Sequence, residues 1–233
     1  MKIKWYGQAC FWIESDRGLK IVTDPYTPET SGYRPIEHAP DVVIISSDND
    51  DFHCRADLVP GQPTVVNALA VAQAGGSRAI KSTRPELGSG VTVRAIEAME
   101  ALNHRFHDPD QNGMYQFEID GITVGHMGDM GNALSEAQTA FFTGIDVMLV
   151  VAGGHPTTEL DDLKRFLDAA KPRLVIPMHF RTLRYKPRNI LWIESFLSYY
   201  PDSQVDFACD CEVRLNKADL PPSTRVLVLD NYS

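Results

Sequence analysis

No stretch of about 18 consecutive apolar residues occurs in this chain, so no helix is expected to span a membrane. Cationic side chains are in the minority. Lys and Arg number 22 against 31 Asp and Glu, a net charge of -9, which argues against the basic footprint of a nucleic-acid binder. Cysteine is scarce, and Cys10, Cys54, Cys209 and Cys211 have the spacing of neither a zinc ribbon nor a zinc finger. Cys209-Asp210-Cys211 would place two thiols on one face of an extended strand, about 7 Å apart, where packing is the plainest role. The opening Met1-Lys2-Ile3-Lys4-Trp5 has no apolar secretion segment, and the expected location is cytoplasmic. Internal repeats and low-complexity tracts are also lacking.

What is present is enough apolar material, 43% of 233 residues, to build a sizeable core, read here as a single domain over residues 1–233. Strand signals cover residues 2–6, 10–14 and 19–23, broken by Gly7 and the turn Ser15-Asp16-Arg17-Gly18. Val42-Val43-Ile44-Ile45 and residues 146–151 are continuous apolar runs, the mark of strands buried on both faces. Residues 115–119 alternate strictly and turn through Asp120-Gly121 into 122–124. Ser135, with Gln138 three residues on, carries the chemistry of a helix start. Residues 158–170 open a helix with acids in the first turn, and Pro172 stops it. Residues 189–200 read as a further helix. Strands at 204–208, 211–215 and 225–229 close the chain. A β-rich first half passing into β-α units predicts two packed sheets with helices outside.

Five segments, mostly at strand ends, carry the groups that do chemistry: residues 48–53, 104–108, 125–129, 153–157 and 177–180. Of the seven histidines only His38 lies outside them. A hydrolytic metal site needs imidazoles and carboxylates converging from several strand ends, with one position left for water.

The motifs in these segments run in a familiar order. Trp5-Tyr6-Gly7-Gln8-Ala9-Cys10 is similar to a W-x-G-H-A opening, and Thr23-Asp24-Pro25-Tyr26 to a D-P turn. His126-Met127-Gly128-Asp129-Met130-Gly131 resembles H-x-G-D-x-G. Residues 146–154 resemble a D-V segment ending in G-G, and Pro177-Met178-His179-Phe180 a P-M-H-aromatic. Together they resemble the metallo-β-lactamase superfamily, nearest to its ascorbate-6-phosphate lactonase-like branch of metal-dependent hydrolases, over roughly residues 1–185. The resemblance implies an α/β fold, an αββα sandwich of two mixed sheets with helices on the outer faces and the site along one sheet edge.

The resemblance also implies a ligand set, and here the chain departs from it. The family loop reads His-x-His-x-Asp-His. With the preceding strand fixing the register, Ser47, Asn49 and Phe52 take the three histidine positions and Asp51 keeps the aspartate. The later ligands, His107, Asp129 and His179, survive. The first metal position keeps only His107 and Asp129, since serine and asparagine are poor zinc ligands. The second keeps Asp51, Asp129 and His179, an oxygen-rich set that suits manganese, iron or magnesium as well as zinc. A one-residue shift would bring His53 in where Phe52 points away, although successive side chains diverge. Gln8 stands where the family has histidine and leaves an amide that can still hydrogen-bond. His126 falls in the family pattern as a supporting group; His155 and His104 have no matched role.

Two functions from different classes follow. The first is a hydrolase of an ester, lactone or phosphoester that uses one divalent ion (zinc, manganese or iron), with Asp51 or Asp129 taking the proton of the attacking water. The second is a catalytically inactive relative that binds a ligand or partner and needs no ion. The expected partner is a small-molecule substrate, whose anionic group Arg181 and Arg184 would receive; neither nucleic acid nor membrane is expected. The apolar carboxy-terminal elements offer a surface for a homo-oligomer.

Overall fold

A computed structural model describes residues 1–48, 50–81, 90–100 and 111–232. Its strands, in chain order, are β1 (Lys2–Gly7), β2 (Cys10–Glu14), β3 (Lys20–Thr23), β4 (Val42–Ile45), β5 (Thr64–Asn67), β6 (Ser77–Ile80), β7 (Val91–Ala98), β8 (Asn112–Ile119), β9 (Ile122–His126), β10 (Val147–Val151), β11 (Leu174–Met178), β12 (Val205–Phe207), β13 (Glu212–Arg214) and β14 (Arg225–Val228). The helices are α1 (Pro28–Ser31), α2 (Ala68–Gln73), α3 (Glu136–Phe141), α4 (Leu160–Ala170) and α5 (Ile193–Leu197). Among the described residues no helix is long and apolar enough to cross a membrane.

The strands form two mixed sheets, one in the order β13-β1-β2-β3-β4-β5 and the other β12-β14-β11-β10-β9-β8-β7-β6. Each joins an antiparallel part to a parallel part: β3, β4 and β5 are parallel in the first, and β9, β10, β11 and β14 in the second. The parallel strands β4, β10 and β11 are buried at every position, as their unbroken apolar runs require.

The period of two in a strand sorts the first sheet's side chains into two cores. Ile3, Trp5, Phe11, Ile13, Ile21 and Ile44 face the second sheet and join its Tyr115, Val124 and Leu149 in the main core. Their neighbours Tyr6, Cys10, Trp12, Val22, Val43 and Ile45 turn outward into a second core, covered by loop residues Tyr26, Tyr33, Ile36, Tyr185 and Ile190. The second sheet is covered by helices. In α4 the stripe Leu160, Leu163, Phe166, Leu167 and Ala170 is buried, and Phe166 meets Phe142 edge-on at 6.0 Å.

Two local features depart from what the sequence pattern suggests. Residues 189–200 yield only the five-residue α5, because the backbone before it is committed elsewhere. Leu191 donates to the Gly153 carbonyl and accepts from Arg181, which holds the segment extended up to Trp192. Cys209 has a positive φ of 53° and lies outside any strand, so the C-x-C thiols do not share a strand face; both are free.

Candidate metal centre

The carboxyl ends of parallel strands converge at one edge of the sandwich, where ligands bind in open α/β sheets. The first sheet sends in Gln8 from the β1–β2 turn, and Asp50 and His53 from the loop after β4. The second sends in Glu100 after β7, Asp129 after β9 and His179 after β11. These six residues line a cavity of about 230 Å³, together with Phe52, Pro156, Thr157, Tyr185 and Asn189.

A buried polar frame fixes the loops that carry them. Asp24, at the end of β3, accepts from the Ser46 backbone N–H at 2.7 Å and from its hydroxyl at 2.8 Å, which pins the start of the β4 loop. Burial pushes the Asp24 carboxyl up to about 7, against the lowering pull of His53 and of the Ser46 hydrogen bonds. His126 Nδ1 accepts from the Gly128 N–H at 2.9 Å, so its proton is on Nε2, which donates to the Ala9 carbonyl at 2.9 Å in the other sheet. Burial holds this imidazole neutral, its pKa down to about 3. Asn112 accepts from the Asp129 N–H at 3.0 Å and donates to the Met127 carbonyl at 2.9 Å. Gly128 is obligatory here: its φ is +62°, and a Cβ would lie 2.2 Å from Asn112 Oδ1 and 2.6 Å from Ser46 Cβ.

Within that frame Asp50 positions His53. One Asp50 oxygen accepts the backbone N–H groups of Phe52 and His53, each at 2.7 Å, in the manner of an Asx turn. The other lies 2.7 Å from His53 Nδ1. Burial works against a charged imidazole, yet the Asp129 and Asp50 carboxylates, with Asp24 behind them, lift His53 to about 10. Burial likewise raises Asp50, and the proximity of His53 outweighs it, holding the carboxyl at about 2. The His53 ring stacks on that of His179, centroids 5.4 Å apart and planes within 8°. His179 Nε2 is 3.2 Å from Asp129 Oδ1, and His53 Nδ1 is 3.7 Å from Asp129 Oδ2.

Two groups of donor atoms lie within 4.8 Å of one another: His53, Asp129 and His179, and Asp50, Glu100 and Asp129. The donors around a tetrahedral zinc are roughly 3.3 Å apart, close to the spacings about Asp129. Asp129 Oδ1 is buried with no hydrogen-bond partner, a costly arrangement that a bound cation would relieve; His53 Nε2 is also unpartnered and would ligate only once the ring, cationic at its raised pKa, gives up a proton. The three carboxylates repel one another, and the charge that balances them is that of the His53 imidazolium or of a cation that displaces its proton. The residues fit a divalent ion.

The structure brings Asp129 and His179 together but corrects the reading of Asp51. The Asp51 side chain is 55% exposed, pairs with Arg55 at 2.8 Å and accepts from the Thr27 hydroxyl at 3.1 Å. It does not line the cavity; Asp50 and His53, from the same loop, do. The signal was the spacing Asp50-x-x-His53, which lets one carboxylate cap two N–H groups and hold the ring. Glu100 carried no signal of its own. His107 and Asn49 lie outside the described residues, as does His104. Ser47 is buried and its hydroxyl has no partner; Phe52 lines the cavity. Arg181 packs over Trp192, 4.8 Å from guanidinium carbon to ring centroid, and Arg184 is exposed; neither lines the cavity.

Residues 2–179 match a family model described as the beta-lactamase superfamily domain. The chain belongs to this superfamily. It is similar to a UPF0173 protein of Pyrococcus furiosus, 29% identical, the match covering 78% of this chain and 84% of that one. A UPF0173 metal-dependent hydrolase of Thermoplasma acidophilum is 27% identical over the same shares. Among solved structures, a metallo-β-lactamase superfamily protein of Thermotoga maritima superposes with a TM-score of 0.73 at 29% identity, covering 99% of both chains. The two mixed sheets are those of the superfamily, and Asp129 and His179 at the cavity edge come from the segments 126–131 and 177–180.

Proposed function

We propose that this superfamily member is a metal-dependent hydrolase of an ester, lactone or phosphoester, with a single divalent ion held by His53, Asp129 and His179. The observation that carries the reading is the convergence of His53, Asp129 and His179 in one cavity, with donor atoms within 4.8 Å of one another and Asp129 Oδ1 buried without a hydrogen-bond partner. A divalent cation there supplies Lewis-acid polarisation of the scissile group and makes water a better nucleophile near neutral pH. Asp50 orients the His53 ring by its hydrogen bond to Nδ1, as outer carboxylates do for ligating histidines. The other carboxylate oxygen of Asp129 would take the proton of the attacking water. Phe52 and Pro156 give the cavity an apolar wall that excludes bulk water on one side. The relatives named metal-dependent hydrolases support this reading.

One observation favours a ligand-binding protein without chemistry: Ser47 stands where the resemblance implies an imidazole of the first metal position, and Phe52 where it implies one of the second. Elemental analysis after loading with zinc or manganese, followed by assay on a generic phosphodiester and a lactone, separates the two. The hydrolase reading expects about one ion per chain and turnover that His179→Ala abolishes. A chain that retains no ion after loading contradicts it.

A further inference from the structure

Gln8 touches the one atom of His179 that faces Asp129. Its amide nitrogen lies 2.7 Å from His179 Nε2, and both side chains are buried. The pair is rigidly held. The His179 N–H donates to the Gln8 carbonyl at 3.0 Å, and the Trp5 indole donates to the same oxygen at 3.0 Å. Both residues have left-handed backbones, φ 51° at Gln8 and 50° at His179. With the amide nitrogen toward the ring, its N–H donates and Nε2 accepts, which puts the ring proton on Nδ1. Were the other end of the amide turned to the ring, Nε2 would still be spent on Gln8. That same ring atom is 3.2 Å from Asp129 Oδ1 and is the one through which His179 would ligate.

We propose that Gln8 is a latch on the metal centre: its amide hydrogen-bonds the nitrogen through which His179 would ligate and must turn aside before an ion binds. The inference rests on the metal-dependent reading above. The latch has somewhere to go, because Gln8 also hydrogen-bonds the Tyr185 hydroxyl at the cavity wall. Binding therefore exchanges one contact of the amide and keeps the other. Gln8 is a positioning residue; it tunes how readily the site accepts its ion.

The test is zinc titration calorimetry on the full chain beside Gln8→Asn and Gln8→Gly. Asparagine tolerates a left-handed backbone and falls one methylene short; glycine is unstrained there and removes the amide. Loss of one net hydrogen bond from the competing state predicts about tenfold tighter zinc binding in both variants. That gain in affinity is the readout a merely structural role would not give; the ¹⁵N resonance of His179 Nε2 in the metal-free proteins should shift in both variants as the contact is lost. Wild-type affinity equal to or tighter than that of the variants, or an unmoved resonance, overturns the latch while leaving the hydrolase reading in place. Zinc binding by none of the three proteins overturns that reading and the latch with it.

Discussion

At the scale of single residues, the centre depends on which side chain of one short loop turns inward. Asp50 uses both carboxylate oxygens on Phe52 and His53, and this capped turn aims His53 into the cavity while Asp51 turns to Arg55. Zinc affinity, measured by calorimetry, should fall by at least about tenfold in His53→Ala. It should fall roughly 10- to 100-fold in Asp50→Asn, the range for groups that orient a ligand. In Asp51→Asn it should stay within about twofold, since a solvent-exposed pair contributes little. The reverse order would return the ligand role to Asp51. Asp129 and His179 were legible in the sequence because each lies in a motif that resembles the family's, close after a strand. His53 entered only as a one-residue shift, because a loop has no such period and its direction is set by a side-chain cap.

At the scale of elements, local chemistry and close packing decide which segments hold their form. The helix at α3 begins with a complete capping box: Gln138 N–H donates to the Ser135 hydroxyl, and the Gln138 side chain accepts from the Ser135 N–H at 2.8 Å. Ser135→Ala should cost about 1 kcal/mol in urea unfolding. A larger loss is expected where α2 crosses β8. A Cβ at Gly113 would lie 2.2 Å from the Leu69 backbone nitrogen and 2.5 Å from the Ala68 carbonyl carbon. Backbone atoms cannot step aside, so Gly113→Ala should destabilise by about 1–3 kcal/mol; unchanged stability would mean that helix and sheet separate freely. Capping box and buried strands could be read from the sequence because they depend on near neighbours. The shortening of α5 could not, because it follows from hydrogen bonds that Leu191 makes with Gly153 and Arg181 across the fold.

At the scale of the whole molecule, long-range ties fasten the carboxy-terminal segment that links β13 of the first sheet to β14 of the second. Asp146, at the head of β10, is buried and meets Lys217 from the carboxy-terminal segment, both the N–H and the hydroxyl of Thr123, and Arg173 at 3.7 Å. Burial raises its carboxyl, but the Lys217 and Thr123 contacts outweigh it, and the pKa is lowered. A carboxyl with a lower pKa in the folded than in the unfolded chain gives stability that is fully present above the unfolded value, about 3.9. That stability is lost as pH falls through the folded value. Thermal melts should therefore drop more steeply below about pH 4 in the wild type than in Lys217→Met. Parallel acid limbs would show that the tie carries no charge-dependent stability. The packing of the two sheets brings Asp50 and His53 from one sheet against Asp129 and His179 from the other, a juxtaposition on which the proposed function stands. It is tested most directly by anomalous scattering from a crystal soaked in zinc. One strong peak within coordination distance of His53, Asp129 and His179 is the predicted result. No peak in this cavity, or a peak at Asp51 instead, would contradict it.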